Sequence, residues 1–312
     1  MPSARKADTL RAESESRVKK ISVLPTLLTL ANFFLGLLAI SKGIDALALI
    51  DEGGDGALFH RKLETACMLI FAGMVCDALD GKVARLTDSM SDFGKQLDSF
   101  ADALTFGVAP AFLVKILVEG EARLSGSGGP PRLAFVATAF FATMAILRLA
   151  RFNLETDNEA ASHQEFYGLP SPGAAGAAAS TVWLYLILRR PDLESVEGTA
   201  TPLGHVIGWI QGVDLQPMIA WVPFYLLFLL PALGLLMISR VRYVHVASRL
   251  TSGARHFFTL VKFVVVGFLF YLAPVPLVFC TFNGFVIYGL ITTLTARSRS
   301  AASERVLGSE AR

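Results

Sequence analysis

Cys76-Asp77-Ala78-Leu79-Asp80-Gly81-Lys82-Val83-Ala84-Arg85 and, shortly after, Gly94-Lys95-Gln96-Leu97-Asp98-Ser99-Phe100-Ala101-Asp102 set four acids against long apolar runs. On a helix, positions three, four and seven apart share a face. Asp77, Asp80, Gly81 and Ala84 therefore line one stripe, and Gly94, Asp98 and Asp102 line another. The short connection between the two segments makes them antiparallel neighbours, so the stripes can face each other.

Working outward, the chain has 312 residues, of which 53% are hydrophobic and only 17% charged. That excludes an ordinary soluble domain. A bilayer-spanning helix needs roughly 20 mostly apolar residues. Such runs occupy 24–44, 64–81, 99–118, 133–150, 173–188, 217–239, 257–273 and 275–294. The expected fold is an all-α, polytopic membrane helix bundle of about eight transmembrane helices. Ala273-Pro274-Val275-Pro276 marks either a tight turn or a break in one helix, and the stretch around His205–Ile210 is too short to span. Residues 1–20 form a basic N-terminal tail, 21–295 the membrane domain, and 296–312 a polar C-terminal tail.

Lys and Arg of short loops concentrate on the cytoplasmic side. With the tail inside (Arg5, Lys6, Arg11, Arg17, Lys19, Lys20), Lys82, Arg85 and Lys95 also fall inside, as do Arg148 and Arg151. Arg240, Arg242, Arg249, Arg255, Arg297 and Arg299 lie on the same side. The opposite loops hold only Arg61/Lys62, Arg123/Arg132 and Arg189/Arg190. A multi-pass inner (plasma) membrane protein with both termini and the acidic site cytoplasmic is expected. Asp51-Glu52-Gly53-Gly54-Asp55-Gly56 reads as a solvated outer turn, since it lacks the later ligands of a calcium loop. Cys67, Cys76 and Cys280 have no CxxC spacing and read as packing residues. The net charge of +2 gives no reason to expect a nucleic-acid polymer as partner.

Carboxylates at membrane depth are expensive, ~2.5–3.5 kcal/mol each even on the lower scales. Four together also repel one another. Two divalent cations would cancel their formal charge. Hard oxygen ligands suit Mg²⁺, Mn²⁺ or Ca²⁺ rather than Zn²⁺. Gly81, Ala84 and Gly94 clear space beside the acids, and Arg85 suits phosphate oxygens. Metals, an arginine and a cleared groove describe a phosphoryl-transfer site. The competing structural reading pairs the acids with Lys82, Arg85 and Lys95 or uses them as helix caps; it explains any one of them but not four at this spacing.

The same residues carry a resemblance. The pattern D-x2-D-G-x2-A-R-x8-G-x3-D-x3-D of the CDP-alcohol phosphotransferase family is met at Asp77, Asp80, Gly81, Ala84, Arg85, Gly94, Asp98 and Asp102. Further stretches resemble its bacterial and archaeal phosphatidylserine synthase branch: Leu24–Asn32, Ser99–Pro110, Arg148–Asn153, Gly168-Leu169-Pro170-Ser171-Pro172 and Ser239–Tyr243. One departure is Thr26, where an Asn often follows the proline. The resemblance implies a six-helix catalytic core, a homodimer, and two divalent ions, Mg²⁺ or Mn²⁺, with Ca²⁺ as substitute or inhibitor. It implies that Asp77, Asp80 and Asp98 are chiefly metal ligands, and that Asp102 both joins them and takes the acceptor's proton. Asn32, Asp80, Gly81, Ala84, Arg85 and Gly94 would contact the CDP moiety and its phosphates. The expected reaction joins CDP-diacylglycerol and L-serine, within membrane lipid, to give phosphatidylserine and CMP. Arg148, Arg151 and Asn153, at the inner end of the fourth run, are the candidates for holding the acceptor. The alternatives are a sibling enzyme using glycerol 3-phosphate, inositol phosphate or choline, and a cation transporter. A transporter would show paired broken helices in two related halves, which the sequence lacks.

Overall fold

A computed structural model describes residues 23–51, 55–87, 92–126, 129–157, 168–189, 216–239 and 269–310, with the single positions 53, 241, 243 and 267. Among them there is helix and no strand. Helix α1 (Val23–Asp51) and α2 (Gly56–Leu86) form a hairpin with the most extensive packing in the bundle. Asp55 caps α2, its Oδ1 accepting from the Ala57 N–H at 3.0 Å. The supposed outer turn is thus partly a helix cap. Next come α3 (Asp92–Asp102), a π-helical turn (Ala103–Val108) and α4 (Ala109–Ser125) in one continuous path. After these run α5 (Pro131–Asp157), α6 (Ser171–Leu188), the short α7 (Gln216–Ala220), α8 (Val222–Ile238) and α9 (Pro274–Glu310).

Helices in lipid gain little from burying apolar surface against each other, so small residues that allow close approach decide which faces meet. Helix α1 buries Pro25, Thr29, Asn32, Gly36, Ala39, Gly43 and Ala46, a stripe spaced by three and four. Its large side chains, such as Leu24, Leu27, Phe34 and Ile44, face outward. Helix α6 buries Gly173 through Val182 without a break and sits centrally, against α2, α4, α8 and α9. Phe59, Leu63 and Ile70 of α2, Phe106 of the π turn, Leu117 of α4 and Leu226 and Leu230 of α8 complete the core.

Among the described residues, five helical stretches are long and apolar enough to cross a membrane: Val23–Asp51, Phe93–Ser125, Pro131–Leu154, Ser171–Leu188 and Pro274–Thr295. Val222–Ile238 is apolar but shorter. Gly56–Leu86 has ample length at 31 residues, but charged groups at both ends, Arg61, Lys62 and Glu64 against Asp77, Asp80 and Lys82, keep it outside the five. The expected eight spans are therefore not confirmed. The seventh run lies mostly outside the described residues, as do His205–Ile210, the basic tail and Arg240, Arg242, Arg249 and Arg255. At Ala273 the helical path is interrupted and not reversed: the Ala273 N–H donates to Leu269 O at 2.9 Å and the Leu277 N–H to Ala273 O at 3.1 Å. Of the two readings of Ala273–Pro276, the broken helix is the one observed. Backbone helix also continues through 296–310, where the sequence suggested only a polar tail. Cys67 is buried as expected, but Cys280 is exposed, against the packing role expected of it.

Each end of the bundle has its own polar layer. At the end formed by the start of α2, Glu121 is fully buried. It meets His60 Nε2 at 2.7 Å and accepts from Arg189 Nη2 at 3.0 Å and Ser125 Oγ at 3.2 Å. Arg189 Nε also donates to the Tyr185 hydroxyl at 3.2 Å. This ties α2, α4 and α6 together, while Arg123 pairs with Asp51. Arg123 and Arg189, which look scattered in the sequence, are bound into this layer. The opposite end holds the aspartates.

Candidate active site

The start of α1, the end of α2, the second half of α3, the end of α5 and the start of α6 converge at that opposite end. Carboxylate oxygens of Asp77, Asp98 and Asp102 lie within 4.8 Å of one another. Asp80 stands beside this trio and takes a different partner: Thr29 Oγ1 of α1 donates to its Oδ2 at 2.8 Å. Asn32, one helical turn after Thr29, donates from Nδ2 to Asp102 Oδ1 at 3.4 Å. The facing-stripe geometry holds, and α1 closes it from a third side.

The trio is chemically unfinished as it stands. Asp77, Asp98 and Asp80 all repel the charge on Asp102, and Arg148 attracts it. Asp98 Oδ1 and Asn32 Oδ1 are buried with no hydrogen-bond partner. Buried acceptors without donors cost about 1–3 kcal/mol each. A hard divalent cation removes both defects at once, by offsetting the clustered negative charge and taking up acceptor oxygens. The residues present therefore fit a metal ion, and Asp77, Asp98 and Asp102 could hold one.

The remaining candidates divide. Arg148 points inward, donating from Nη1 to the fully buried Ser171 Oγ at 2.8 Å. Arg151, three residues on, is exposed. Asn153 Nδ2 donates to Ser99 Oγ at 2.9 Å, which ties the end of α5 to α3. Arg85 is exposed and folds back on its own helix, Nε donating to Gly81 O at 2.9 Å. A methyl group at Gly81 would meet only the tip of Arg85, at 4.0 Å. Ala84 and Gly94 are half-buried on the same rim.

Ser171 owes its place to the turn before it. The Gly168 N–H donates to Val241 O at 2.9 Å and the Leu169 N–H to Leu236 O at 3.0 Å, docking the turn on the end of α8. Gly168 has φ +90°, and a Cβ there would lie 2.3 Å from Met237 O. Only glycine fits.

Sequence reasoning missed Thr29 and Thr105. Thr29 lies three residues before Asn32 on one face of α1. Thr105 comes three residues after Asp102, and its Oγ1 donates to Asn32 O at 3.0 Å. Position relative to Asn32 and Asp102 was the available signal.

The model of the family described as CDP-alcohol phosphatidyltransferase matches residues 22–214, which take in α1 to α6 and all four aspartates. The chain belongs to this family. Within it, the chain is similar to a Helicobacter pylori (strain ATCC 700392 / 26695) protein named CDP-diacylglycerol–serine O-phosphatidyltransferase, 31% identical over 158 residues, 51% of this chain and 56% of that protein. A Bacillus subtilis (strain 168) protein of the same name is 31% identical over 154 residues, 49% of this chain and 72% of its own length. One from Methanocaldococcus jannaschii is 32% identical over 158 residues, 51% of this chain and 59% of its own. The chain thus spans a little over half the length of the Helicobacter relative. Helices α7, α8 and α9 of this family member lie beyond the matched residues.

Proposed function

We propose that this protein transfers the phosphatidyl group of CDP-diacylglycerol to the hydroxyl of L-serine, releasing CMP. The observation that carries the reading is the three-carboxylate cluster of Asp77, Asp98 and Asp102 beside an inward-facing Arg148. Mg²⁺ or Mn²⁺, two ions across the four aspartates, would offset charge gathering on the pyrophosphate as it cleaves. Asp102 takes the serine hydroxyl proton as the oxygen attacks the phosphorus that carries diacylglycerol. The new bond is serine O–P; the bond broken joins that phosphorus to the bridging oxygen, which leaves with CMP. Asn32 holds Asp102 through Nδ2. Arg85, Gly81, Ala84 and Gly94 form the open rim for the phosphates.

Arg148 gives the acceptor preference its basis. A half-buried guanidinium held by Ser171 near Asp102 offers a cation for a carboxylate. A phosphorylated acceptor carries about two negative charges and calls for a second cation beside Arg148. A quaternary amine such as choline would want an aromatic cage. The names of the Helicobacter, Bacillus and Methanocaldococcus relatives favour serine as well. The site end faces the cytoplasm, where its Lys82, Arg85, Lys95 and Arg151 meet anionic lipid, and the protein works as a homodimer.

The test is to incubate purified protein with CDP-diacylglycerol, Mg²⁺ or Mn²⁺, and serine, glycerol 3-phosphate, inositol phosphate or choline in turn, measuring CMP. Release with serine alone is expected; release with glycerol 3-phosphate and not serine removes the assignment.

A further inference from the structure

The path from α3 into α4 is not a plain helix. Between Asp102 and Ala109 it widens into a π turn, in which the Ala109 N–H reaches back five residues to Leu104 O. Pro110 comes next and lacks the N–H that an α-helix would use at that point. Such turns insert an extra residue and so rotate the downstream helix relative to the upstream one. Here the rotation lets Asp98 and Asp102 face the cluster while Thr105, Phe106 and Gly107 are buried.

Thr105 sits at the centre of this turn, fully buried. Its Oγ1 donates to the backbone carbonyl of Asn32 at 3.0 Å, and Asn32 in turn donates to Asp102 at 3.4 Å. Asp102, Asn32 and Thr105 thus form a closed circuit between α1 and the α3–α4 path. Two glycines make room for it. A Cβ at Gly36 would lie 2.5 Å from Thr105 Oγ1 and 3.1 Å from its Cα. A Cβ at Gly73 would lie 2.7 Å from Thr105 Cγ2 and 2.9 Å from Asn32 Oδ1. Helices α1 and α2 therefore close on the Thr105 side chain, whose hydroxyl holds the residue that holds Asp102.

We propose that Thr105 is a positioning residue for proton transfer: through the Asn32 carbonyl it fixes the Asn32 side chain, and with it the direction of the Asp102 carboxylate. This rests on the reading of Asp102 as the base. Thr105 touches no substrate; it sets the geometry in which Asp102 works.

Thr105→Val keeps the shape and removes the donor, leaving a methyl against the Asn32 carbonyl at a distance suited only to a hydrogen bond. Misplacement of a catalytic group by an ångström costs up to about 100-fold in rate. The full-length protein, purified in detergent, is assayed by CMP release as wild type, Thr105→Val, Thr105→Ser and Asp102→Asn, with thermal unfolding of each. Thr105→Val is expected to lower kcat about 10- to 100-fold, with KM for both substrates within about twofold and a Tm loss of only about 2 °C. Thr105→Ser, which restores the hydroxyl, is expected to recover most of the rate. The proposal is overturned if Thr105→Val turns over normally while Asp102→Asn is dead, which leaves the base reading intact. It is also overturned if Thr105→Ser is as slow as Thr105→Val, or if the rate loss tracks a loss of stability. A near-normal Asp102→Asn removes the base reading and this proposal together.

Discussion

Glu121→Ala should weaken the bundle and leave the chemistry untouched. Glu121 is 0% exposed and accepts from Arg189 and Ser125, with His60 at 2.7 Å. Its removal strips three helices of their shared partner. Breaking a buried ion pair costs about 3–5 kcal/mol, mostly because the other charge is stranded. Arg189 keeps 26% of its side chain exposed and can turn toward water, so the lower end applies, about 3 kcal/mol. Glu121→Gln retains one acceptor and should cost about half as much. His60 and Asp77 are separated by about 26 Å along α2, taken at the helical rise per residue. The cost should therefore not reach the reacting groups. The assay is thermal unfolding in detergent beside CMP release per folded molecule. Glu121→Ala should lower Tm on the order of 5 °C, with kcat within about twofold. An unchanged Tm, or a fall in kcat at normal Tm, would refute the separation of a stability layer from a chemical one.

Gly168→Ala must force a left-handed backbone on alanine, about 1–2 kcal/mol, and disturb two hydrogen bonds onto α8, about 1 kcal/mol each. A Tm loss larger than that of a surface Gly→Ala control, with a raised KM for serine through Ser171, is expected; no change in either would contradict the docking role of the turn. Arg148→Ala should raise the serine KM about 10- to 100-fold, as loss of a charge-assisted hydrogen bond implies, while Arg151→Ala stays within about threefold. The reverse order, read from initial rates at varied serine, would move the acceptor pocket to the exposed arginine. Removing divalent cations with EDTA should abolish CMP release and Mn²⁺ should restore it, with weaker Mn²⁺ binding in Asp98→Asn; full activity in EDTA would exclude the metal reading.

Legibility in the sequence tracked the energetics. Four acids in apolar surroundings are too costly to be accidental, and helical spacing alone puts them on two facing stripes. Long apolar runs likewise expose the helices around them. Asn32 was legible only through the family resemblance and Thr29 not at all, because they reach partners 70 and 51 residues away and no local periodicity encodes such pairings. The π turn was hidden for a related reason: one extra residue leaves no periodic mark. Glu121 drew no attention in the sequence, because its partners His60 and Arg189 come from two other helices. Three-residue spacing puts Arg148 and Arg151 on one face, and the sequence favoured Arg151 as the acceptor contact; only the packing of α6 against the end of α5 shows that Arg148 is the one turned inward. Ala273–Pro276 showed that prolines break the pattern but not which way the chain goes next.

The most direct test of the central claim tracks both products in one reaction. Wild type and Asp102→Asn, confirmed as folded by matched unfolding curves, are given CDP-diacylglycerol, Mn²⁺ and isotopically labelled serine, and CMP and labelled lipid are quantified together. Equal amounts of CMP and phosphatidylserine are predicted from the wild type, and neither from Asp102→Asn. CMP without labelled lipid, or an Asp102→Asn rate close to wild type, would contradict the claim.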